Sequence, residues 1–134
     1  PDLGSHGIGR DPEIVLIDFD NSLGSLKLFK KNPIVYSSKE LSNDNSKNIN
    51  FIMNDLFKKD IQSLLVEGGA KTISNFLHCG IFDELHCYVA PKFLGRGLNI
   101  FQGKSSIKKK NNLKLVDTKI IGDDLKITYK RSFS

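Results

Sequence analysis

Short apolar runs separated by polar, glycine-bearing stretches set the pattern of this chain. Residues 1–12 carry Gly4, Gly7, Gly9 and two prolines and read as loop. Ile14-Val15-Leu16-Ile17 is continuous and apolar, as in a strand covered on both faces, and Pro33-Ile34-Val35-Tyr36 repeats the pattern after a turn-rich stretch from Asp18 to Ser25. Residues 38–48, crowded with Ser, Asn and Lys, read as a surface loop or a poor helix. Ile49-Asn50-Phe51-Ile52 predicts another strand, and the stretch around Leu56 and Phe57 a brief helix leading to Ile61. Ser63-Leu64-Leu65-Val66 predicts a strand, and Ala70 to Cys79 a helix with Ile73, Phe76 and Leu77 on one face. Gly80 stands where a C-terminal cap belongs.

Leu85 to Ala90 alternates, with Leu85, Cys87 and Val89 on one side and His86 and Tyr88 on the other. Residues 91–103 are glycine-rich and irregular. Two long strands follow, Leu113 to Ile121 and Leu125 to Ser132, and Gly122-Asp123-Asp124 between them predicts a hairpin. Strands alternating with helices and closed by an antiparallel hairpin define an α/β domain with a mixed, mostly parallel sheet flanked by helices.

Composition narrows the picture. A chain of 134 residues holds one core, so 1–134 reads as a single domain. The hydrophobic fraction of 39% and charged fraction of 26% are those of a globular protein. No apolar run approaches the roughly 20 residues that span a bilayer, and no basic-then-apolar leader is present, which predicts a cytoplasmic protein without a membrane partner. Cys79 and Cys87 are too few for a disulfide framework and lack metal-ligand spacing, so no metal is expected. The net charge of +5 raises nucleic-acid binding. The densest basic run, Lys108-Lys109-Lys110, has no aromatic residue nearby to stack a base and reads as a solvated loop. The expectation is therefore no nucleic acid, with a positive surface that draws in phosphorylated small molecules.

The chemistry concentrates between Leu64 and Asn75. An apolar run ends in Glu67 and passes through Gly68-Gly69 directly into a helix. Glycine lets a ligand approach the main chain, and the first helical turn offers unpaired N–H groups and a partial positive charge suited to phosphate. Thr72 and Ser74 add hydroxyls. Taken alone, the glycines are equally compatible with a plain strand-to-helix turn, since neither a dinucleotide nor a P-loop fingerprint is present. Glu67 is placed either to accept hydrogen bonds from a polar ligand or to cap the helix or pair with a lysine.

Leu65-Val66-Glu67-Gly68-Gly69-Ala70, then Phe82-Asp83-Glu84-Leu85, Tyr88-Val89-Ala90-Pro91 and Leu94-Gly95, resembles the reductase domain of bacterial bifunctional riboflavin biosynthesis proteins over residues 61 to 103. Pro1-Asp2-Leu3 and Ile14-Val15-Leu16-Ile17-Asp18 extend the likeness more loosely upstream. The resemblance implies a dihydrofolate-reductase-like fold and NADPH-dependent reduction of 5-amino-6-(5-phosphoribosylamino)uracil, a phosphorylated pyrimidine, to its ribitylamino form. It points to Glu67 and Leu3 as substrate contacts. It also points to Gly69, Ala70, Lys71, Thr72, Ile73, Ser74 and Asn75 as the NADP-binding stretch. His6 stands where the family has a substrate-binding arginine, and Phe19 where it has a hydroxyl residue near the cofactor. Such domains begin with a further strand and helix region. The start at Pro1-Asp2-Leu3, without an initiator methionine, therefore predicts a domain lacking its N-terminal part.

Two other readings stay open: a dihydrofolate-reductase-like enzyme acting on another heterocycle, and a degenerate domain that binds a nucleotide without turnover. The remaining histidines, His78 near a helix end and His86 on a strand face, read as structural. Gly95-Arg96-Gly97 reads as a turn or as an arginine presented to a phosphate. No catalytic side chain is assigned. The long C-terminal strands, with a free edge, predict a symmetric homodimer.

Overall fold

The computed structural model describes residues 9, 11–19, 27–97, 99 and 112–132. The chain divides into two compact units, Pro1–Asp55 and Leu56–Ser134.

In the first unit, β1 (Val15–Asp18) and β2 (Ile34–Ser37) pair in parallel, Val15 opposite Ile34 and Asp18 opposite Ser37. A 3-10 turn, Lys27–Lys31, leads into β2. Ile14, Tyr36, Leu41, Ile49 and Ile52 are its buried apolar side chains. The hydroxyl of Tyr36 donates to Asp55 Oδ2 at 2.7 Å, and its ring meets Phe51 edge-on at 6.1 Å. Burial, then the neighbouring Asp55 carboxylate, pushes the Tyr36 phenol well above its ordinary value of 10.0. A phenol pKa that is higher folded than unfolded contributes stability that is complete below pH 10.0 and is lost as pH rises from there toward the folded value. Tyr36→Phe is expected to cost about 1.5–3 kcal/mol near neutral pH, as for a hydrogen bond to a charged group. Denaturant melts of parent and variant should converge above pH 10.0; a constant gap would separate Tyr36 from the alkaline transition.

Residues 45–58 form α1 (Asn45–Lys58), not the predicted strand at Ile49–Ile52 followed by a brief helix. The helix starts because Asp44 Oδ1 accepts the N–H groups of Ser46 and Lys47 at 3.0 and 3.2 Å. Asn48 then ties the approach, its Oδ1 accepting from Ser42 N at 2.8 Å and its Nδ2 donating to Ser42 O at 2.7 Å. Ile49, Ile52 and Leu56, buried at three- and four-residue spacing, supply the apolar stripe. Its end is a Schellman closure: Asp60 N donates to Phe57 O and Ile61 N to Leu56 O, with Asp60 left-handed at φ 61°.

The predicted strand Ser63–Val66 joins no sheet among the described residues, and Leu65 is 79% exposed. Its apolar, β-prone composition gives no strand there because a strand exists only through a partner's ladder. In the second unit α2 (Ala70–Cys79) matches its predicted limits. It ends in the same closure as α1, with Gly80 in the left-handed position at φ 63°. Arg131 donates from its guanidinium to Gly80 O and from its main chain to Asp83 O at 2.9 Å, tying this helix end to the sheet.

That sheet has the order β3-β5-β4, from β3 (Glu84–Val89), β4 (Leu113–Ile121) and β5 (Asp124–Arg131), and both ladders are antiparallel. Gly122 at φ 61° and Asp123 close the predicted hairpin. Parallel pairing among the described residues is thus confined to β1 and β2. Leu85, Cys87, Leu125, Ile127, Tyr129 and Leu115 share one face by register. Glu84, His86, Tyr88, Lys126, Lys130, Asp117 and Lys119 share the other. On the polar face Glu84 holds His86 at 3.0 Å and Lys130 at 3.2 Å, contacts that lower the Glu84 pKa, His86 foremost. Lys126 lies 5.8 Å above the Tyr88 ring.

Candidate functional site

The turn into α2 gathers most of the expected site residues. Gly69 is the N-cap of the helix, with φ −70° and ψ 165°, and no side chain caps the helix there. Its carbonyl accepts from Thr72 N at 3.1 Å and Ile73 N at 3.3 Å. The N–H groups before Thr72 have no intrahelical partner by geometry, and they sit at the positive end of the helix dipole. No acidic residue stands in the first turn; Lys71, exposed, does.

Neither glycine is demanded by the chain itself. The φ of Gly69 suits any residue, and a Cβ built there meets nothing within 4 Å. A Cβ on Gly68 would reach only Thr72, at 3.5–3.8 Å, ordinary van der Waals contact. Two positions that could carry side chains carry none, directly before an open helix N-terminus. The main chain of the turn is therefore open to approach, and an anion suits the donors at a helix N-terminus.

Glu67 precedes this turn and is exposed, so its carboxylate is solvated rather than held at the end of a buried strand. Ala70, Thr72, Ile73 and Asn75 are half-buried. Ser74 is 1% exposed and its carbonyl engages His78 Nδ1 at 2.8 Å, so it faces the interior of its unit. The open end of the predicted stretch is thus residues 67–72. Leu3 and His6 lie outside the described residues.

A second polar cluster, which sequence reasoning missed, occupies the carboxyl ends of β1 and β2 in the first unit. Asp18 and Ser37 are buried opposite each other. Ser37 donates from its main chain and its hydroxyl to Glu40 Oε2 at 2.9 and 2.8 Å. These bonds, the main-chain one foremost, hold the Glu40 carboxyl below the usual range. Phe19, exposed, follows Asp18. The usable signal was a polar residue ending each of two apolar runs, the place where parallel strands present ligand-facing groups. Among the described residues no group of acids, histidines and cysteines could hold a metal ion, and no helix is long and apolar enough to cross a membrane.

Comparison with known proteins places this α/β chain in a family. A family model for the RibD C-terminal domain matches residues 17–127. Riboflavin biosynthesis protein RibD of Aquifex aeolicus is 36% identical over 85 residues, 63% of this chain and 24% of that protein. RibD of Actinobacillus pleuropneumoniae is 35% identical over 86 residues, 58% of this chain and 22% of that protein. The crystal structure of a diaminohydroxyphosphoribosylaminopyrimidine deaminase/5-amino-6-(5-phosphoribosylamino)uracil reductase from Thermotoga maritima superposes with a TM-score of 0.81 at 27% identity, covering 98% of this chain and 41% of that one. The fold is α/β and dihydrofolate-reductase-like, as the resemblance implied. The chain belongs to the RibD C-terminal domain family. It spans about a quarter of the length of the curated relatives it matches, 24% and 22% in these two.

Proposed function

We propose that this chain is a reductase-type domain of riboflavin biosynthesis, acting in the cytoplasm on 5-amino-6-(5-phosphoribosylamino)uracil with NADPH as reductant. The observation that carries the reading is the glycine pair before α2, where both missing side chains leave backbone donors approachable and neither is required for folding. A pyrophosphate fits those donors in charge and in its need for close approach. The likeness to the Thermotoga maritima reductase supports the substrate class. The partners proposed with it are a phosphorylated pyrimidine and a second copy of the chain, with neither nucleic acid nor a membrane.

Bound at the turn, NADPH supplies the hydride that converts the ribosylamino group to ribitylamino. The residues of the chain bind and orient. Gly69, Ala70 and Lys71 offer main-chain N–H groups to phosphate, and Lys71 adds a cation where the helix dipole alone would disfavour one. Thr72 contributes a hydroxyl beside Gly68, while Ile73, Ser74 and Asn75 seat the helix that presents the turn. Glu67, solvated and unencumbered by burial, accepts from the amino and hydroxyl groups of the substrate. Leu3 and His6 complete the substrate assignment from the resemblance.

The test is NADPH titration of the chain by fluorescence, followed by Glu67→Gln. Saturable binding is expected, and the variant should weaken binding of the pyrimidine more than that of NADPH. Absence of NADPH binding would sink the reading, and equal losses for both ligands would remove Glu67 from its role.

A further inference from the structure

We infer that Arg96 and Lys92, on the loop that leaves β3, bind the phosphomonoester of a ligand. That ligand is one of the two in the proposed function, on which this inference rests: the phosphorylated pyrimidine, or NADPH through its 2′-phosphate. The charge of the chain is divided unevenly. Residues 85–116 hold seven lysines and arginines and no aspartate or glutamate, against 20 basic and 15 acidic residues in all. Outside that run 13 basic residues face 15 acidic ones, so the whole positive excess belongs to the stretch from β3 into β4. A local field of one sign draws anions to its cations.

Within that stretch every residue of 91–97 is exposed, and two tight turns shape them. Lys92 N donates to Ala90 O at 2.8 Å and Arg96 N to Leu94 O at 2.9 Å, so each cation closes a three-residue turn. The second turn needs its glycine, because Gly95 stands at φ 71°. Gly97 differs: a Cβ there meets nothing within 4 Å, so the main chain beyond Arg96 is open to approach. Phe93 is 107% exposed and Leu94 83%, so packing does not hold the loop. Among the described residues neither Lys92 nor Arg96 pairs with a carboxylate, whereas Lys47, Lys119 and Lys130 each do. An arginine presented in this way keeps its two-pronged guanidinium for an incoming phosphate.

The loop also follows the end of β3 at which a ligand is expected. α2 closes on Gly80, and Arg131 holds both Gly80 O and Asp83 O, so β3 starts beside the end of that helix. A connection as short as 80–83 sends the strand back along the helix it follows. The 10 residues of α2 rise about 15 Å and the 6 of β3 about 20 Å, so the two run nearly level. The carboxyl end of β3 therefore lies at the end of the unit where Gly69 opens α2. Open α/β sheets take their ligands at the carboxyl ends of their strands.

Titration calorimetry with ribose 5-phosphate against ribose, and with NADPH against NADH, tests the assignment, with thermal melts as the fold control. The parent should prefer the phosphorylated member of at least one pair, less so as salt rises. Arg96→Ala should cut that preference about tenfold or more, the range of a charge-assisted hydrogen bond. Lys92→Ala should cut it less, Arg96→Lys should keep part of it, and the unphosphorylated member should bind as before. Whichever pair loses its preference identifies the source, ribose 5-phosphate for the pyrimidine and NADPH for the cofactor. A parent without preference in either pair, or a preference that survives the double variant Arg96→Ala/Lys92→Ala, would overturn the inference. Equal losses for both members of a pair would do so too. Ribose 5-phosphate binding needs no cofactor, so it is read separately from NADPH binding at the glycine turn.

Discussion

Gly69→Val is expected to weaken NADPH binding at least tenfold while the chain stays folded. The backbone at Gly69, φ −70° and ψ 165°, is open to any residue, and no atom lies within 4 Å of an added Cβ. Glycine is a better N-cap than valine, so a stability loss of up to about 1 kcal/mol is expected from the cap alone. Ligand binding is expected to lose more, because isopropyl bulk would stand where the proposed phosphate reaches the N–H groups of the turn. A loss of at least tenfold corresponds to about 1.4 kcal/mol, and Gly69→Ala should fall between parent and valine. Gly80→Ala is the contrasting control at the other end of α2. There φ is 63°, so a side chain strains the left-handed cap by about 1–2 kcal/mol and lowers stability without touching the ligand. Thermal melts and NADPH titrations of the three variants check both halves. A Gly69→Val protein that binds NADPH like the parent would remove the cofactor from this turn.

The contrast between Gly69 and Gly80 also marks how far the sequence could be read. Gly80 was legible as a helix cap because a helical stripe, Ile73, Phe76 and Leu77, ends just before it. Gly69 was legible as a turn, and the open space around its missing side chain became visible only in the structure. The strands β1, β2 and β3 and the hairpin were visible for local reasons, an apolar run or an alternation bounded by turn residues. α1 was hidden because three apolar residues in the four from Ile49 to Ile52 fit either period, and its initiation depends on the Asp44 side chain, with Asn48 holding Ser42, within what looked like loop. Asp60 was hidden for a related reason, since an aspartate in the left-handed position gives no glycine to flag the helix end. The meeting of Asp18 with Ser37 was overlooked because it arises only once β1 and β2 are parallel and their carboxyl ends adjoin.

Ile52→Ala is the stability prediction with the largest expected effect, about 2–5 kcal/mol for an isoleucine truncated in a packed interior. Ile52 is 1% exposed, and no side chain in its unit is described as more deeply buried. For a domain whose whole stability is about 5–15 kcal/mol, that loss places the variant near the folding threshold. The size follows from the helical register. If residues 49–52 were a strand, alternation would set Asn50 and Ile52 on one face and Ile49 and Phe51 on the other. In α1, Ile49, Ile52 and Leu56 turn inward together while Phe51 is nearly half exposed and Phe57 is 73% exposed. Phe57→Ala should therefore cost under about 0.5 kcal/mol, the usual limit for a surface change, although it removes the larger side chain. Urea melts decide the matter: the two truncations should differ by more than about 1.5 kcal/mol in the order Ile52 over Phe57, the gap between core and surface substitutions. A reversed or vanishing gap would contradict the helical stripe that fixes this part of the fold.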